Sequence, residues 1–116
     1  MGEIVAAIDC GTNSTRLLIG EAAGPSGVFR ALDRRVTITR MGEGVHARRR
    51  LADSAVERVL GVLADYRKAM DALSVERCRM VATSAAREAS NRDDFFDAAE
   101  ALVGTRPELL SGLEEA

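Results

Sequence analysis

Apolar positions follow two different rhythms along this chain. In the first forty residues they form short runs. Residues 3–9 (EIVAAID) and 15–21 (TRLLIGE) each have the length and apolar centre of a buried strand. Gly24-Pro25-Ser26-Gly27 is a turn signal, so the second run should fold back into a third strand over residues 28–39. There Val36, Ile38 and Arg40 alternate with Thr37 and Thr39, the period-2 pattern of a half-exposed strand. Three antiparallel strands therefore open the domain.

The rhythm then lengthens. Residues 41–50, with Gly42 and Gly44, read as loop, and Ser54-Ala55-Val56-Glu57 has the form of a capping box. Val56, Val59, Leu60, Leu63 and Met70 follow at helical spacing, with Glu57, Arg58, Arg67 and Lys68 mostly opposite, so a helix should run to about Ala72. Residues 78–82 are a short buried strand, and 83–88 leave it as a loop or helical turn. Asn91 is placed to cap a second helix with a stripe of Phe95, Ala98, Ala99 and Leu102, ended by Gly104. Residues 107–110 read as a last strand. The order β-β-β-α-β-α-β predicts an α/β fold with a mixed sheet, antiparallel in its first part and parallel where helices intervene. No repeat, low-complexity segment or internal linker interrupts it.

Composition narrows the function classes. A chain of 116 residues with 47% apolar content is one globular domain. A net charge of −2 supplies no basic field to recruit nucleic acid or a membrane, and 3% aromatics without Trp argues against base stacking. Arg48-Arg49-Arg50 reads first as a solvated turn. Cys10 and Cys78 match no metal spacing and fall in apolar runs, where a free Cys is a small hydrophobe. No run reaches the ~20 residues of a membrane span. The N-terminus carries no basic region ahead of a long apolar stretch, so a cytoplasmic, reduced protein is expected.

Candidate chemistry sits where the predicted strands end. In open α/β sheets, ligands lie beyond the carboxyl ends of the strands. Three polar segments follow the first, fourth and fifth predicted strands: residues 9–14, 83–87 and 111–115. If those strands are parallel neighbours, the three segments converge on one edge. Gly11 permits close backbone approach, and successive amides with the Thr12, Asn13 and Ser14 side chains make an anion-receptive nest. Asp9 suits a metal-bound water, and Arg87 offers the planar fork that grips phosphate. Ser111 and Gly112 repeat the small, backbone-exposing chemistry, with Glu114 and Glu115 beside them as carboxylates that could deprotonate a water. Each segment alone has a plain reading: a turn, a surface arginine, a solvated helix start, an Asx bond at Asp9. Their joint occurrence is the informative feature.

Ala7-Ile8-Asp9-Cys10-Gly11-Thr12-Asn13-Ser14 with Arg16-Leu17-Leu18-Ile19 resembles the N-terminal phosphate motif of the exopolyphosphatase/guanosine pentaphosphate phosphohydrolase (Ppx/GppA) family. Ala82-Thr83-Ser84-Ala85-Ala86-Arg87-Glu88-Ala89 with Asn91, Ser111-Gly112-Leu113-Glu114-Glu115-Ala116, and the Met41-Gly42-Glu43-Gly44-Val45 loop resemble further segments of it, in order. The resemblance implies a ribonuclease-H-like lobe of the actin-like ATPase superfamily, a five-stranded mixed sheet with helices on both faces. It implies magnesium-assisted hydrolysis of the terminal phosphate of inorganic polyphosphate or guanosine pentaphosphate, with Glu115 as base. Gly11, Thr12, Asn13, Ser14 and Arg87 would contact phosphate, with Thr83, Ser84, Ser111 and Gly112 lining the same site, and Asp9 would hold Mg2+ through water. A homodimer is implied for the whole protein.

Two departures stand out. Cys10 replaces the usual aliphatic residue, and the resemblance stops at Ala116, inside the third motif. Residues 1–116 are therefore expected to be the first lobe of a longer protein, inactive alone. A sugar- or acetate-type kinase shares the first loop, but the Ser-Gly-x-Glu-Glu pattern argues against it. A non-catalytic module that binds guanosine tetraphosphate is the alternative of another class.

Overall fold

A computed structural model of the chain describes residues 2–23 and 28–110. Three strands come first, β1 (Glu3–Cys10), β2 (Ser14–Ala23) and β3 (Val28–Ile38). A single helical turn, α1 (Val45–Arg48), follows within the stretch expected to be loop, burying Val45 between Met41 and Leu51 in sequence. Then come α2 (Asp53–Ala72), β4 (Arg77–Ala82), α3 (Ser84–Glu88), α4 (Arg92–Val103) and the two-residue β5 (Glu108–Leu109).

The strands form one sheet in the order β3-β2-β1-β4-β5. β1 pairs antiparallel with β2, and β2 with β3, whereas β4 runs parallel to β1 and β5 parallel to β4. This is the mixed sheet expected of a ribonuclease-H-like lobe. The registers Cys10↔Ala82 and Ala82↔Leu109 align the carboxyl ends of β1, β4 and β5. Gly11, Thr83 and Leu110 therefore leave the sheet side by side.

One core holds the layers together. Ala6, Ile8 and Cys10 of β1, Leu17 and Ile19 of β2, and Met80 and Ala82 of β4 alternate onto one face. Val59, Leu63, Tyr66 and Met70 of α2 and Phe95, Phe96, Ala99 and Val103 of α4 pack on it. The buried side chains of α1 and α3 join the same cluster. Among the described residues the helical layer thus covers one face, although the family resemblance implies both. On the other face Ala7, Leu18, Val36 and Val81 lie between Arg16, Arg34 and Arg79. Among the described residues no helix is long and apolar enough to cross a membrane.

The expected alternation is present in β3 and the residue after it, with the threonines facing inward: Thr39 is 1% exposed, Val36 58% and Ile38 65%. The Tyr66 hydroxyl donates to Thr15 O at 2.9 Å and lies 3.0 Å from Thr37 Oγ1, while Thr15 and Thr39 meet hydroxyl to hydroxyl at 2.9 Å. Those bonds satisfy polar groups that would otherwise be costly to bury. The capping box does not form, because α2 starts after Ala52 with no side-chain cap and Ser54 is already helical. Asn91 sits at the cap position of α4 but caps nothing with its side chain. Its carboxamide instead accepts from Leu51 N–H (2.8 Å) and donates to Leu51 O (3.1 Å).

Candidate functional site

The loop between β1 and β2 is built on two backbone bonds and one close approach. Gly11 N–H donates to Ser14 O at 2.9 Å, which closes the turn. A Cβ on Gly11 would stand 3.0 Å from that same oxygen, so a larger residue would press on the bond that shapes the loop. Thr83 N–H donates to Cys10 O at 3.2 Å, joining the start of the second polar segment to the end of β1.

The loop is tied from behind. Thr39 N–H and Arg40 N–H both donate to Asn13 O at 3.0 Å, and Gly42 N–H donates to Thr12 O at 2.9 Å. Gly42 packs so closely that a Cβ there would lie 2.3 Å from Thr12 Cγ2. From the side, Thr12 Oγ1 lies 3.0 Å from Ser84 Oγ. The carbonyls of Thr12 and Asn13 thus face the 39–42 segment.

In front of the loop is an open cleft of about 530 Å³, lined by Asp9, Gly11, Thr12, Asn13, Ser14, Arg16, Thr83 and Leu110. The expected convergence of strand ends is therefore present for the first two segments, and Leu110 leads from the cleft toward the third. Ser111, Gly112, Glu114 and Glu115 lie outside the described residues. Ser84 and Arg87 are not in the cleft lining: Ser84 stands beside Thr12, and the Arg87 guanidinium donates to Leu110 O at 2.5 Å. Arg87 thereby holds the backbone that leads to residue 111.

Arg16 is the lining residue that reasoning on strand ends passed over. It lies two positions after Ser14, on the same face of β2, and its register partner across β1 is Asp9. Its Nε donates to Ser14 Oγ at 3.4 Å. The period of two along a strand was the signal that could have found it.

Cys10 points the other way, into the core, as the sequence led one to expect. Burial pushes its thiol up to about 12, and the neighbouring Asp9 charge adds to the shift. Cys78 is raised to about 11 by burial, partly opposed by Arg67. Both thiols are therefore held in the protonated form at neutral pH, where they lack the thiolate character of a reactive cysteine. Among the described residues no three His, Cys, Asp or Glu side chains cluster to hold a metal. Asp9 is the one carboxylate among the described residues lining the cleft. That fits a hard cation such as Mg2+, which is commonly held by one or two carboxylates with water and substrate oxygens completing its shell.

Comparison with known proteins points the same way. The sequence model of the Ppx/GppA phosphatase family matches residues 18–116. Exopolyphosphatase 2 of Mycobacterium tuberculosis is 44% identical over 119 residues, covering 97% of this chain and 37% of the relative. Guanosine-5'-triphosphate,3'-diphosphate pyrophosphatase of Photobacterium profundum is 30% identical over 114 residues, 97% of this chain and 22% of the relative. The crystal structure of the Aquifex aeolicus Ppx/GppA family member superposes with a TM-score of 0.88 at 34% identity, covering 95% of this chain and 35% of that one. The chain therefore spans about a third of the length of these relatives or less.

Proposed function

This chain belongs to the Ppx/GppA phosphatase family, and from that premise we propose that it is the first lobe of an enzyme that hydrolyses the terminal phosphate of inorganic polyphosphate. The observation that carries the reading is the meeting of the 11–14 loop, Thr83 and Leu110 in one cleft with Asp9 and Arg16. A phosphate seated there would meet loop amides and the hydroxyls of Thr12, Ser14 and Thr83, with Arg16 supplying positive charge. Ser111 and Gly112 would extend the cradle past Leu110. Arg87 would act on phosphate or through the Leu110 carbonyl that it holds. Glu115 would take the proton of the attacking water. Asp9, through water, is the residue that would hold Mg2+, whose chemistry is to neutralise phosphate charge. The whole enzyme is proposed to be cytoplasmic, and a homodimer as the resemblance implies, with this lobe inactive by itself.

Polyphosphate is preferred over guanosine pentaphosphate because the exopolyphosphatase relative is 44% identical and the guanosine-nucleotide relative 30%. The deciding experiment compares phosphate release by the whole protein from both substrates. We expect kcat/KM for polyphosphate to be at least about tenfold higher, a transition-state difference of about 1.4 kcal/mol. The reverse ratio would make the protein a guanosine pentaphosphate phosphohydrolase. Tight guanosine tetraphosphate binding with no phosphate release from either would make it a non-catalytic sensor, and transfer to an acceptor rather than water would make it a kinase.

A further inference from the structure

Arg58 belongs by sequence to the solvent side of α2, yet its guanidinium is engaged with backbone. Nε donates to Thr39 O at 2.8 Å, and Nη2 reaches Arg40 O at 3.4 Å and Glu43 Oε1 at 3.5 Å. These carbonyls belong to the segment whose amides tie the 11–14 loop from behind. Thr39 C=O and Arg40 N–H are the two ends of a single peptide group. A continuous chain therefore runs from the Arg58 cation to Thr39 O, through that peptide plane, and from Arg40 N–H to Asn13 O. A cation drawing on a peptide carbonyl polarises the group and makes its N–H a stronger donor.

The arrangement answers two needs of a loop that binds an anion. Carbonyl oxygens repel phosphate, so those of Thr12 and Asn13 must be kept off the ligand. Here both are engaged by residues 39–42, none of which lines the cleft. The second need is to hold Arg40, which has φ 52°, a left-handed conformation unfavourable for any residue with a Cβ. Arg58 contacts the carbonyl before this residue and the carbonyl after it. The ion pair with Glu43 is long and both side chains are partly exposed, 39% and 55%, so it adds little.

We propose that Arg58 is a positioning residue for the phosphate loop: by fastening the Thr39–Arg40 backbone it keeps the Asn13 and Thr12 carbonyls turned from the cleft and the loop in its anion-binding shape. The inference rests on the reading that this loop binds phosphate.

The test uses the whole protein with Arg58→Ala, Arg58→Lys and Glu43→Gln. Amide hydrogen exchange at residues 40 and 42 reads the tie itself, without any substrate. Polyphosphate affinity and KM read its consequence. In Arg58→Ala we expect exchange at those two amides to rise about tenfold or more, and KM and Kd to rise about tenfold with a smaller change in kcat. Arg58→Lys, which can reach one carbonyl but not fork to two, should recover part of each, and Glu43→Gln should match the wild type. Unchanged exchange at 40 and 42 would overturn the proposal. So would faster exchange with unchanged KM and Kd, or a rise in exchange spread over the whole core with a collapsed Tm. A wild-type protein that neither binds nor cleaves polyphosphate would sink the functional reading instead, leaving the tie to be decided by exchange and by affinity for inorganic phosphate.

Discussion

Thr12 and Ser84, 72 positions apart in the chain, meet hydroxyl to hydroxyl at 3.0 Å and join the loop after β1 to the helical turn after β4. Neither hydroxyl has this partner unless β1 and β4 lie parallel with their ends aligned, as the Cys10↔Ala82 register places them. The bond is thus a consequence of sheet topology and a determinant of cleft shape.

Removing it should loosen one segment against the other. Thr12→Val keeps the methyl that packs on Gly42, and Ser84→Ala removes only the hydroxyl. Each is expected to weaken phosphate-substrate affinity of the whole protein. The double variant should fall short of the sum by about 1 kcal/mol, the worth of an ordinary hydrogen bond. Affinities of the four proteins measured side by side check this, and strict additivity would mean that the two hydroxyls act separately.

Cys10 makes stability depend on alkaline pH. Its thiol titrates at about 12 in the folded chain, against the usual 9.0. The unfolded chain therefore releases its proton first, and the contribution is fully present below pH 9. It is lost as pH rises from there toward 12. By pH 10 the loss should be about 1.4 kcal/mol. Urea unfolding at pH 8 and pH 10 should show that decline in the native chain added to a similar one from Cys78, and only about half of the total in Cys10→Ala, whatever the cost of the substitution at pH 8. Equal slopes would mean that the thiol does not stay protonated in the fold.

The edge that carries the cleft was legible in the chain because it follows from order alone. A strand, two antiparallel returns and two helix-separated strands leave few arrangements for the ends at Cys10, Ala82 and Leu109. What escaped were features decided by distant partners. Thr37 and Thr39 turn inward because Tyr66 and Thr15 lie beneath them, and no period within β3 reports that. Asn91 has the residue type and position of a cap, yet Leu51 takes both ends of its carboxamide. In α4 the buried stripe runs through Phe96 and Val103, while Leu102 is 36% exposed. Arg106, beyond the helix, lies over the Phe96 ring at 5.6 Å, so chain outside the periodic segment helps set its rotation. Arg16 and Arg58 escaped for a related reason. Arg16 matters through its register with Asp9, and Arg58 through backbone carbonyls that no residue pattern displays.

Arg87 now has a measurable alternative to direct phosphate contact. Its guanidinium donates to Leu110 O, and Arg92 Nη1 in turn reaches Arg87 O at 3.4 Å. Arg87→Ala in the whole protein is expected to weaken substrate binding by roughly 1.5–3 kcal/mol, the range for a lost hydrogen bond to a charged group. A Tm that collapses while the remaining folded protein binds normally would assign Arg87 to fastening the chain before residue 111. Loss of affinity at nearly constant Tm would assign it to the phosphate.

The last prediction separates the two adjacent glutamates that follow Leu110. If Glu115 takes the proton from the attacking water, Glu115→Gln keeps the size of the side chain and part of its hydrogen bonding but removes the base. Phosphate release by the whole protein should then fall by about 10²–10⁴-fold, the range for general acid–base catalysis. Substrate affinity should hold or improve slightly, because a carboxylate beside a polyphosphate repels it in the ground state. Glu114→Gln should be far milder, since neighbouring side chains point in different directions and only one can face the phosphate. Parallel measurement of phosphate release and polyphosphate binding for both variants distinguishes the roles. Small and equal losses would remove Glu115 from the mechanism and require the base to be sought elsewhere. Asp9 would then be the first residue to test, as the one carboxylate among the described residues lining the cleft.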